Sequence, residues 1–411
     1  MNTSRPLRTL ERLLSNSGAT LSIWLLAGIM FAIPKWGTAG NNFLIFRNSF
    51  FHLVNEQNLY ASYPLEYADR FIYGPLFCVL MAPFALLPKS ADFLLYLVFS
   101  ACILYLAIQS LPVEKSLRNG ICLLCLIDFV NNQQHFQTNA LVTALILLSF
   151  AYIVREKDIL AAGFISLGFF TKVYGLAGLA FFLFSRHKWL LLISVVCWSI
   201  IFYFLPILFS SSQFVGDSYG QWIGALMEKN RLNAGLGGFQ DISVIGLIRR
   251  LIQNPNLSEI SIQITGCLIL FLPFLRFSCY RDSRYRILAL SSILMFIVLF
   301  STASENPTYI ILQCGVGVWF CAGSSLPVKI KTVLLLLVLV FSSLTPTDLY
   351  PAGFRDFYVD YSLRAVPCML LWLIVIYEMG HGHADKKGAG HLAQGTGRAV
   401  GAKPSCGRVF R

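Results

Sequence analysis

The interval 41–75 (NNFLIFRNSFFHLVNEQNLYASYPLEYADRFIYGP) is the first long polar stretch after an apolar run, and it carries side chains suited to acid–base chemistry. Its charged groups are three carboxylates and two guanidinium groups, namely Glu56, Glu66, Asp69, Arg47 and Arg70. A carboxylate can accept a proton from a reacting hydroxyl, and a cation can stabilise a developing negative charge. Because ionisable groups beside apolar spans are costly to hold, we expect this interval to be functional.

The composition of the whole chain indicates what must position these groups. The 411 residues are 56% hydrophobic and 13% charged, and long apolar runs recur from Leu21 to Tyr377. Such a chain is too apolar for a soluble protein, and its apolar runs are continuous rather than alternating. Because backbone polar groups in lipid must bond internally, we predict an all-α polytopic membrane protein.

Charged short loops predict the direction of each crossing, since Lys and Arg favour the cytoplasmic side. Lys and Arg cluster in five short loops, at 115–118, 155–157, 186–188, 276–286 and 329–331. The loops 131–139 and 301–307 contain neither residue and are expected on the other side. The pattern predicts about twelve spans, several of them shorter than the ~20 residues of a full crossing. They lie near 20–36, 92–111, 119–132, 139–154, 159–171, 173–185, 189–208, 258–276, 286–301, 307–323, 331–345 and 363–379.

This topology divides the chain into three parts. They are a cytoplasmic segment at 1–19, a transmembrane domain at 20–379 and a disordered basic cytoplasmic tail at 380–411. Within the domain, large outward loops are predicted at 41–90 and 210–257. The short apolar piece 75–88 contains prolines and suits an interfacial or re-entrant segment, although a crossing stays open. The end of the second loop, QDISVIGLIRRLIQ, predicts an amphipathic surface helix with Arg249 and Arg250 near phosphate groups.

The net charge of +12 and the 11 cysteines are both accounted for by a polytopic membrane protein and indicate no additional function. The basic residues follow the topology, and no stripe of basic and aromatic residues indicates nucleic-acid binding. Most cysteines fall inside apolar spans, where Cys behaves as a small hydrophobe. The pair Cys122 and Cys125 has no second pair or nearby His of a metal site. We therefore expect no disulfide framework, no metal and no cofactor.

An ordered series of short motifs runs through most of residues 20–325. In sequence they are Asn42–Phe46, Leu59-Tyr60, Tyr73-Gly74-Pro75, Ala82–Pro88, Gln137-Thr138-Asn139, Lys172-Val173, Gln240–Ser243 with Gly246, and Ser301–Glu305. Each motif is weak alone, but their order and their spacing relative to the spans resemble glycosyltransferase family 87. Members of that family are multi-spanning enzymes of the GT-C class that use polyprenyl-phosphate sugars, typically mannose.

The resemblance implies a GT-C-like bundle whose outward-facing loops carry the site. It also implies inverting transfer of a hexose, mannose first, from a polyprenyl phosphate to a lipid or glycan acceptor, with one carboxylate as the general base. The chain departs from the family at Asn42, which stands where the family has its catalytic acid. Because an amide cannot act as a base, either a neighbouring carboxylate replaces it, the alignment shifts, or the chain is an inactive relative.

Four carboxylates are candidates for the base. Glu66 and Asp69 are three residues apart and could share one helical face, or could form a solvated set with Arg70. Glu305 stands alone at an outward helix junction, in the sequence TASENPTY. Asp241 could act as a base or could cap the helix that follows it.

For the donor phosphate, the candidates are Lys172 and Arg47. Lys172 interrupts the apolar sequence GFISLGFFTKVYGLAGLAFF, where a cation needs a cavity or partner, or snorkels to the surface. Arg47 could bind phosphate or simply be solvated. Gln137 and Asn139 could bind the donor's sugar hydroxyls or cap a helix. Acceptor or sugar contacts are expected at Asn42, Tyr60, Tyr73 and Trp222. Tyr and Trp are also typical of interfacial belts.

The predicted function is a hexosyltransferase of the cell's inner (plasma) membrane, with both termini cytoplasmic and the active site on the outer face. Its partners would be the polyprenyl-phosphate sugar, a lipid or glycan acceptor and the bilayer. The alternatives are a transporter or flippase for a lipid-linked sugar and a polysaccharide polymerase. A transporter predicts internal repeats and broken helices near the bilayer midplane, whereas this sequence collects its polar residues at outward helix ends.

Overall fold

The computed structural model describes residues 14–36, 40–89, 91–237 and 239–381, so most of the predicted segment 1–19 and nearly all of the tail 380–411 lie outside it. Within these ranges the chain forms sixteen α-helices, joined by loops and short 3₁₀ or π-helical segments, and no strand. The all-helical prediction is confirmed. The helices are α1 (Ser17–Ala32), α2 (Asn41–Val54), α3 (Pro75–Ala85), α4 (Asp92–Gln109), α5 (Lys115–Gln134), α6 (Asn139–Val154), α7 (Asp158–Thr171), α8 (Lys188–Phe204), α9 (Ser212–Asn233), α10 (Val244–Leu251), α11 (Glu259–Phe271), α12 (Ser283–Leu299), α13 (Tyr309–Val318), α14 (Val328–Val338), α15 (Ala352–Asp360) and α16 (Ala365–His381).

Several helical stretches have the length and composition of membrane spans. Three in the described residues could cross a membrane alone: Ser17–Lys35, Asp92–Gln109 and Lys188–Leu208. A fourth arises if α15 and α16, which are bent by 55°, form one span. α8 exposes large apolar side chains, including Trp189, Ile193 and Phe204, as a lipid-facing helix does. The chain is therefore a helical membrane protein, and the count of about twelve spans stays a prediction.

Shorter apolar helices complete the bundle around α6, which is buried along almost its whole length. α4, α7, α13 and the 3₁₀ segment Val173–Phe184 pack against it. α12 and α13 lie very close together, because a Cβ on Gly315 would be 2.8 Å from the carbonyl oxygen of Ser291. The Ser291 hydroxyl donates to the Gly315 carbonyl at 2.8 Å. This packing fixes the ends of α6, α12 and α13, where the candidate site lies.

The chain reverses direction at Lys172. α7 ends at Thr171, and the segment Val173–Phe184 packs back against α7. Two glycines permit this approach, since a Cβ on Gly175 would lie 2.1 Å from the carbonyl carbon of Gly168. Lys172 is therefore at the tip of a tight pair of apolar segments.

Polar intervals that the charge pattern assigns to one side of the membrane contact one another. The contacts that join them are Tyr73 with Gln137, Asp69 with Lys229, Gln240 with Glu305, and Ser362 with the carbonyl of Asp241. Basic loops assigned to the other side also contact each other: Arg155 donates to the Ser110 carbonyl at 2.6 Å, and Arg186 pairs with Glu156 at 3.3 Å. The contacts thus collect the loops into two groups, and the side of the membrane on which each group lies stays a prediction.

The two predicted outer loops contain regular helices. Residues 41–90 include α2 and α3, and residues 210–257 include α9 and α10. α2 is helical because Phe43, Phe46 and Phe50 recur at helical spacing and are buried in one apolar face. α3 has 11 residues, fewer than the roughly 20 that a full crossing needs.

The expectation that Arg249 and Arg250 face lipid phosphates is wrong. Both side chains lie on α10 and are 2% exposed. Arg249 forms ion pairs with Asp241 at 3.1 Å and Glu259 at 2.6 Å, and Arg250 donates to the Gln240 carbonyl at 2.7 Å. The basic end of α10 points into the protein because these partners satisfy its charges.

Candidate active site

The junction between α5 and α6 forms one wall of the candidate site. After α5 the backbone takes a left-handed conformation at buried Phe136, with φ of 51°. This turn places Gln137, Thr138 and Asn139 at the N-terminal start of α6. The Tyr73 hydroxyl donates to Gln137 Oε1 at 3.4 Å and accepts from Thr138 Oγ1 at 3.2 Å. The loop before α3 is thereby attached to the N-terminal start of α6.

Lys172 reaches the same wall from the tip between α7 and the 3₁₀ segment. Its Nζ donates to Asn139 Oδ1 at 2.9 Å and lies 5.0 Å from the centre of the Tyr174 ring. Burial lowers the pKa of Lys172 to about 8, and the charge of Glu305 opposes this shift. The ammonium is therefore mostly protonated near pH 7.

Glu305 brings a carboxylate from the loop between α12 and α13. Its backbone N–H donates to Thr308 Oγ1 at 3.2 Å, and Gln240 Nε2 donates to its Oε1 at 3.2 Å. Glu305 is half-buried, and desolvation by the surrounding protein raises its pKa, while nearby positive charge opposes the rise. The charges that act on it are those of Lys172, Lys229, His135 and Asp69. A raised pKa makes this carboxylate a stronger base than an ordinary Glu.

Asp69 lies at the open edge of the site. Its Oδ2 is 3.6 Å from Lys229 Nζ on α9, and its side chain is 59% exposed. Its Oδ1 accepts from the N–H of Arg70 at 2.8 Å. The side chains of Lys172, Asn139, Glu305, Asp69 and Lys229 are called the polar cluster below.

Glu66 contacts α2 instead of the polar cluster. It accepts hydrogen bonds from Asn48 at 2.9 Å and contacts His52 Nε2 at 3.0 Å. The prediction that Glu66 and Asp69 share a helical face is wrong, because residues 61–74 form turns and extended chain. The two carboxylates point to different neighbours.

Asp241 is paired deep inside the protein. It lies 3.1 Å from Arg249 and is 1% exposed. Burial raises the pKa of Asp241, and the hydrogen bonds from Ser243 and Arg249 oppose this. Ser243 caps α10, since its hydroxyl accepts from the N–H of Gly246 at 3.1 Å, so the alternative in which Asp241 caps this helix is wrong. Asp241 instead fixes the start of α10.

The remaining predicted residues hold the backbone around the site. Arg47 forms an ion pair with Asp92 at 3.0 Å, which links α2 to α4. Three others donate from their side chains to main-chain carbonyls, at 2.9, 3.0 and 3.1 Å respectively: Asn42 to His135, Tyr60 to Tyr73, and Trp222 to Ile72.

An apolar groove of about 360 Å³ opens beside the polar cluster. Its apolar walls come from the 3₁₀ segment and α12 and include Val173, Leu176, Ala177, Ile297 and Phe300. At its polar end the hydroxyl oxygens of Tyr174 and Ser301 are 2.6 Å apart. Because the Tyr174 ring also contacts Lys172, the groove and the polar cluster meet at this side chain.

Sequence reasoning missed Lys229 and the part played by Tyr174. Lys229 lies in the charged run MEKNRLN, which has the composition of a solvated helix face. Arg231 in the same run forms a surface ion pair with Glu228. The signal was its helical spacing from Trp222, since residues seven apart share one face of α9. Tyr174 lies within the predicted apolar span 173–185, and nothing in the sequence distinguishes its hydroxyl from that of an ordinary membrane tyrosine.

The arrangement combines a recessed carboxylate, two ammonium groups and an apolar groove. A recessed carboxylate suits proton removal, and ammonium groups suit an anionic leaving group. An apolar groove at a membrane suits a hydrocarbon chain. Among the residues that the structure describes, no three His, Cys, Asp or Glu side chains converge as metal ligands.

Comparison with known proteins supports the resemblance to the family. The model of glycosyltransferase family 87 matches residues 71–302, which is more than half of the chain. The match includes Tyr73, Asn139, Lys172 and Lys229, and it ends shortly before Glu305. No curated protein sequence matches the chain. The resemblance is confirmed, and the chain belongs to glycosyltransferase family 87, as a membrane glycosyltransferase.

Proposed function

We propose that this enzyme transfers a hexose from a polyprenyl-phosphate donor to a lipid or glycan acceptor, with inversion at the anomeric carbon. Mannose is the favoured hexose. The meeting of the apolar groove with the polar cluster at Tyr174 carries the proposal. A donor with a hydrocarbon chain and a phosphate needs both features side by side. A nucleotide-sugar donor would give no reason for an apolar groove next to the cations.

Lys172 and Lys229 are the proposed phosphate-binding groups. An ammonium has three N–H donors, so Lys172 can bind a phosphate oxygen while it keeps its bond to Asn139. Its partly desolvated position strengthens the attraction to an anion. As the glycosidic bond breaks, negative charge grows on the departing phosphate, and these cations stabilise it.

Glu305 is the proposed general base. The acceptor oxygen forms a bond to the anomeric carbon as its proton passes to Glu305, and the bond from that carbon to the phosphate oxygen breaks. Asp69 is the second candidate, but it lies at the exposed edge of the site and is already paired with Lys229. This assignment also accounts for Asn42, because a carboxylate from another loop supplies the function that an amide cannot.

We further propose a GT-C-like bundle of about twelve spans, with the polar cluster at the outer face of the inner (plasma) membrane and both termini cytoplasmic. The support is the grouping of the loops. Asn139 and Glu305 of the polar cluster come from the two short loops that contain neither Lys nor Arg, 131–139 and 301–307, whereas the basic short loops contact one another elsewhere.

The test uses purified protein in lipid, with radiolabelled mannose on a polyprenyl phosphate, the corresponding glucose compound, and a nucleotide-linked mannose. Each donor is offered with a panel of lipid and glycan acceptors. We expect transfer from a polyprenyl-phosphate hexose and none from the nucleotide sugar. Transfer from the nucleotide sugar alone would contradict the proposal, as would movement of intact lipid-linked sugar across the bilayer without any transfer.

A further inference from the structure

A second cavity, of about 220 Å³, is lined in part by the loop that carries Glu305. Its lining comes from the loop after α9, from the residue that follows Glu305, and from α15 with the chain on either side. The side chains that matter are Phe239, Asn306, Arg355, Asp356, Tyr358 and Arg364. The volume corresponds to roughly seven water molecules at about 30 Å³ each, which is room for one sugar ring.

The cavity shares two chain segments with Glu305. Asn306 lines it and directly follows Glu305. Phe239 also lines it and directly precedes Gln240, whose amide donates to Glu305 at 3.2 Å. A ligand in this cavity would therefore contact the chain neighbours of Glu305 and of its partner Gln240, on segments distinct from those of the lysines and the apolar groove.

Arg364 gives the cavity a rigid polar wall. It is 2% exposed and forms an ion pair with buried Asp128. It donates to the carbonyl and side-chain oxygens of Asn306 at 3.1 and 3.0 Å, and its guanidinium lies 3.8 Å from the centre of the Tyr309 ring. These bonds fix the orientation of Asn306 at the cavity wall.

Both arginines of the cavity lining are already paired with carboxylates, which favours a neutral ligand. Arg364 is paired with Asp128, and Arg355 is paired with Asp348. Asp356 adds a further carboxylate to the lining. A phosphate or carboxylate ligand would be repelled by this group and would have to displace an existing partner of an arginine. Hydroxyl groups can donate to Asp356 without such displacement.

Two aromatic rings complete the lining. The Phe239 ring is largely exposed, and the Tyr358 ring lies 4.7 Å from that of Phe354 on the same helix. Flat rings beside a few polar groups are the usual lining of a small-molecule site, and the C–H face of a sugar packs on such rings.

We propose that this cavity binds the terminal neutral sugar of the acceptor and directs one of its hydroxyl groups toward Glu305. The inference rests on the proposed function, because it assigns the acceptor side of the same transfer. The hydroxyl oxygen bonds to the donor's anomeric carbon, its proton goes to Glu305, and the polyprenyl phosphate leaves. Donor and acceptor would thus occupy two cavities that share no lining residue.

The test compares Tyr358→Ala and Asp356→Asn with two control variants on the same helix, Phe357→Ala and Asp360→Asn, whose side chains are exposed and do not line the cavity. Full-length protein in lipid is assayed for transfer at varied concentrations of a lipid that ends in one neutral hexose, and at varied donor. Release of the sugar to water is measured without acceptor.

We expect the two cavity variants to raise the acceptor KM roughly tenfold, since each loses one contact of ordinary strength. Their donor KM and their sugar release to water should stay within about twofold of wild type, as should all constants of the controls. Two results would overturn the inference: an unchanged acceptor KM in both cavity variants, or a preference for a phosphorylated over a neutral acceptor. Either result would leave the proposed function standing. Wild-type protein that neither transfers nor releases the sugar would overturn both.

Discussion

Gln240 and Glu305 are joined by a hydrogen bond of 3.2 Å, which ties the loop after α9 to the loop between α12 and α13. The backbone strengthens this link, because the N–H of Ile242 donates to the Ser304 carbonyl at 2.9 Å. The carboxylate is therefore held at one place beside the cations rather than on a free loop, as a general base requires.

Transfer should depend on pH with a bell-shaped profile of kcat/KM. Burial raises the pKa of Glu305, so on acidification the base is protonated, and activity falls, at a higher pH than for an ordinary Glu. Burial lowers the pKa of Lys172 to about 8, so activity should also fall as the pH rises through about 8 and the cation loses its charge. The measurement is the initial rate of transfer across the pH range at subsaturating donor.

Lys172→Arg is the matched control for the alkaline limb. A guanidinium stays charged at every accessible pH, so the decline near pH 8 should disappear even if the rate is lower. An alkaline limb that stays in place in this variant would rule out Lys172 as the group responsible.

Lys229→Ala should weaken transfer, whereas Arg231→Ala should not. Lys229 lies 3.6 Å from Asp69, and its charge lowers the pKa of Glu305. Its removal should reduce kcat/KM roughly tenfold, about 1.4 kcal/mol, and should shift the acid limb to higher pH. Arg231 pairs with exposed Glu228, so its removal should change neither quantity. Equal effects of the two substitutions would show that only net surface charge matters.

Ala177→Phe should fill the apolar groove and discriminate between donors by chain length. The KM for a long polyprenyl donor should rise at least roughly tenfold, because several buried methylene groups at about 0.8 kcal/mol each lose their place. A donor with a very short chain should be affected far less. Ile193→Phe, on the exposed face of α8, is the control for a bulky residue at the lipid surface. Equal effects on long and short donors would exclude the groove as the chain-binding site.

The sequence singled out Lys172 for a physical reason, because a lysine inside an apolar run must find a cavity or a partner. That the partner is Asn139, 33 positions earlier in the chain, is seen only in the folded structure. The choice between Glu66 and Asp69 could not be made in this way. It depends on the turns of residues 61–74, which send Glu66 to His52 and Asp69 to Lys229.

The case of α10 shows a second limit. Its amphipathic pattern is real, but an apolar face can be covered either by lipid or by protein, and periodicity does not distinguish them. The partners that bury Arg249 come from Asp241 and Glu259 on either side of the helix, so only the folded chain reveals the pairing.

Asp241→Asn should destabilise the protein without a specific loss of catalysis. Breaking one partner of a buried ion pair typically costs about 3–5 kcal/mol, because the remaining charge is left uncompensated. We expect a clearly lower Tm in detergent, with near-normal transfer per folded molecule at low temperature. The double variant Asp241→Asn with Arg249→Gln should be less destabilised than the sum of the single variants predicts. A normal Tm together with lost transfer would instead make Asp241 the base.

The central claim is that Glu305 removes the acceptor proton, and the most direct measurement compares the transfer rates of Glu305→Gln and Asp69→Asn in protein of verified folding. Gln keeps the size of the side chain and can still bond to Gln240, but it cannot accept the proton. We predict that Glu305→Gln lowers kcat by roughly 10²–10⁴-fold with little change in donor KM, and that Asp69→Asn costs less than about tenfold. Near-normal kcat in Glu305→Gln, with transfer abolished in Asp69→Asn, would contradict the account.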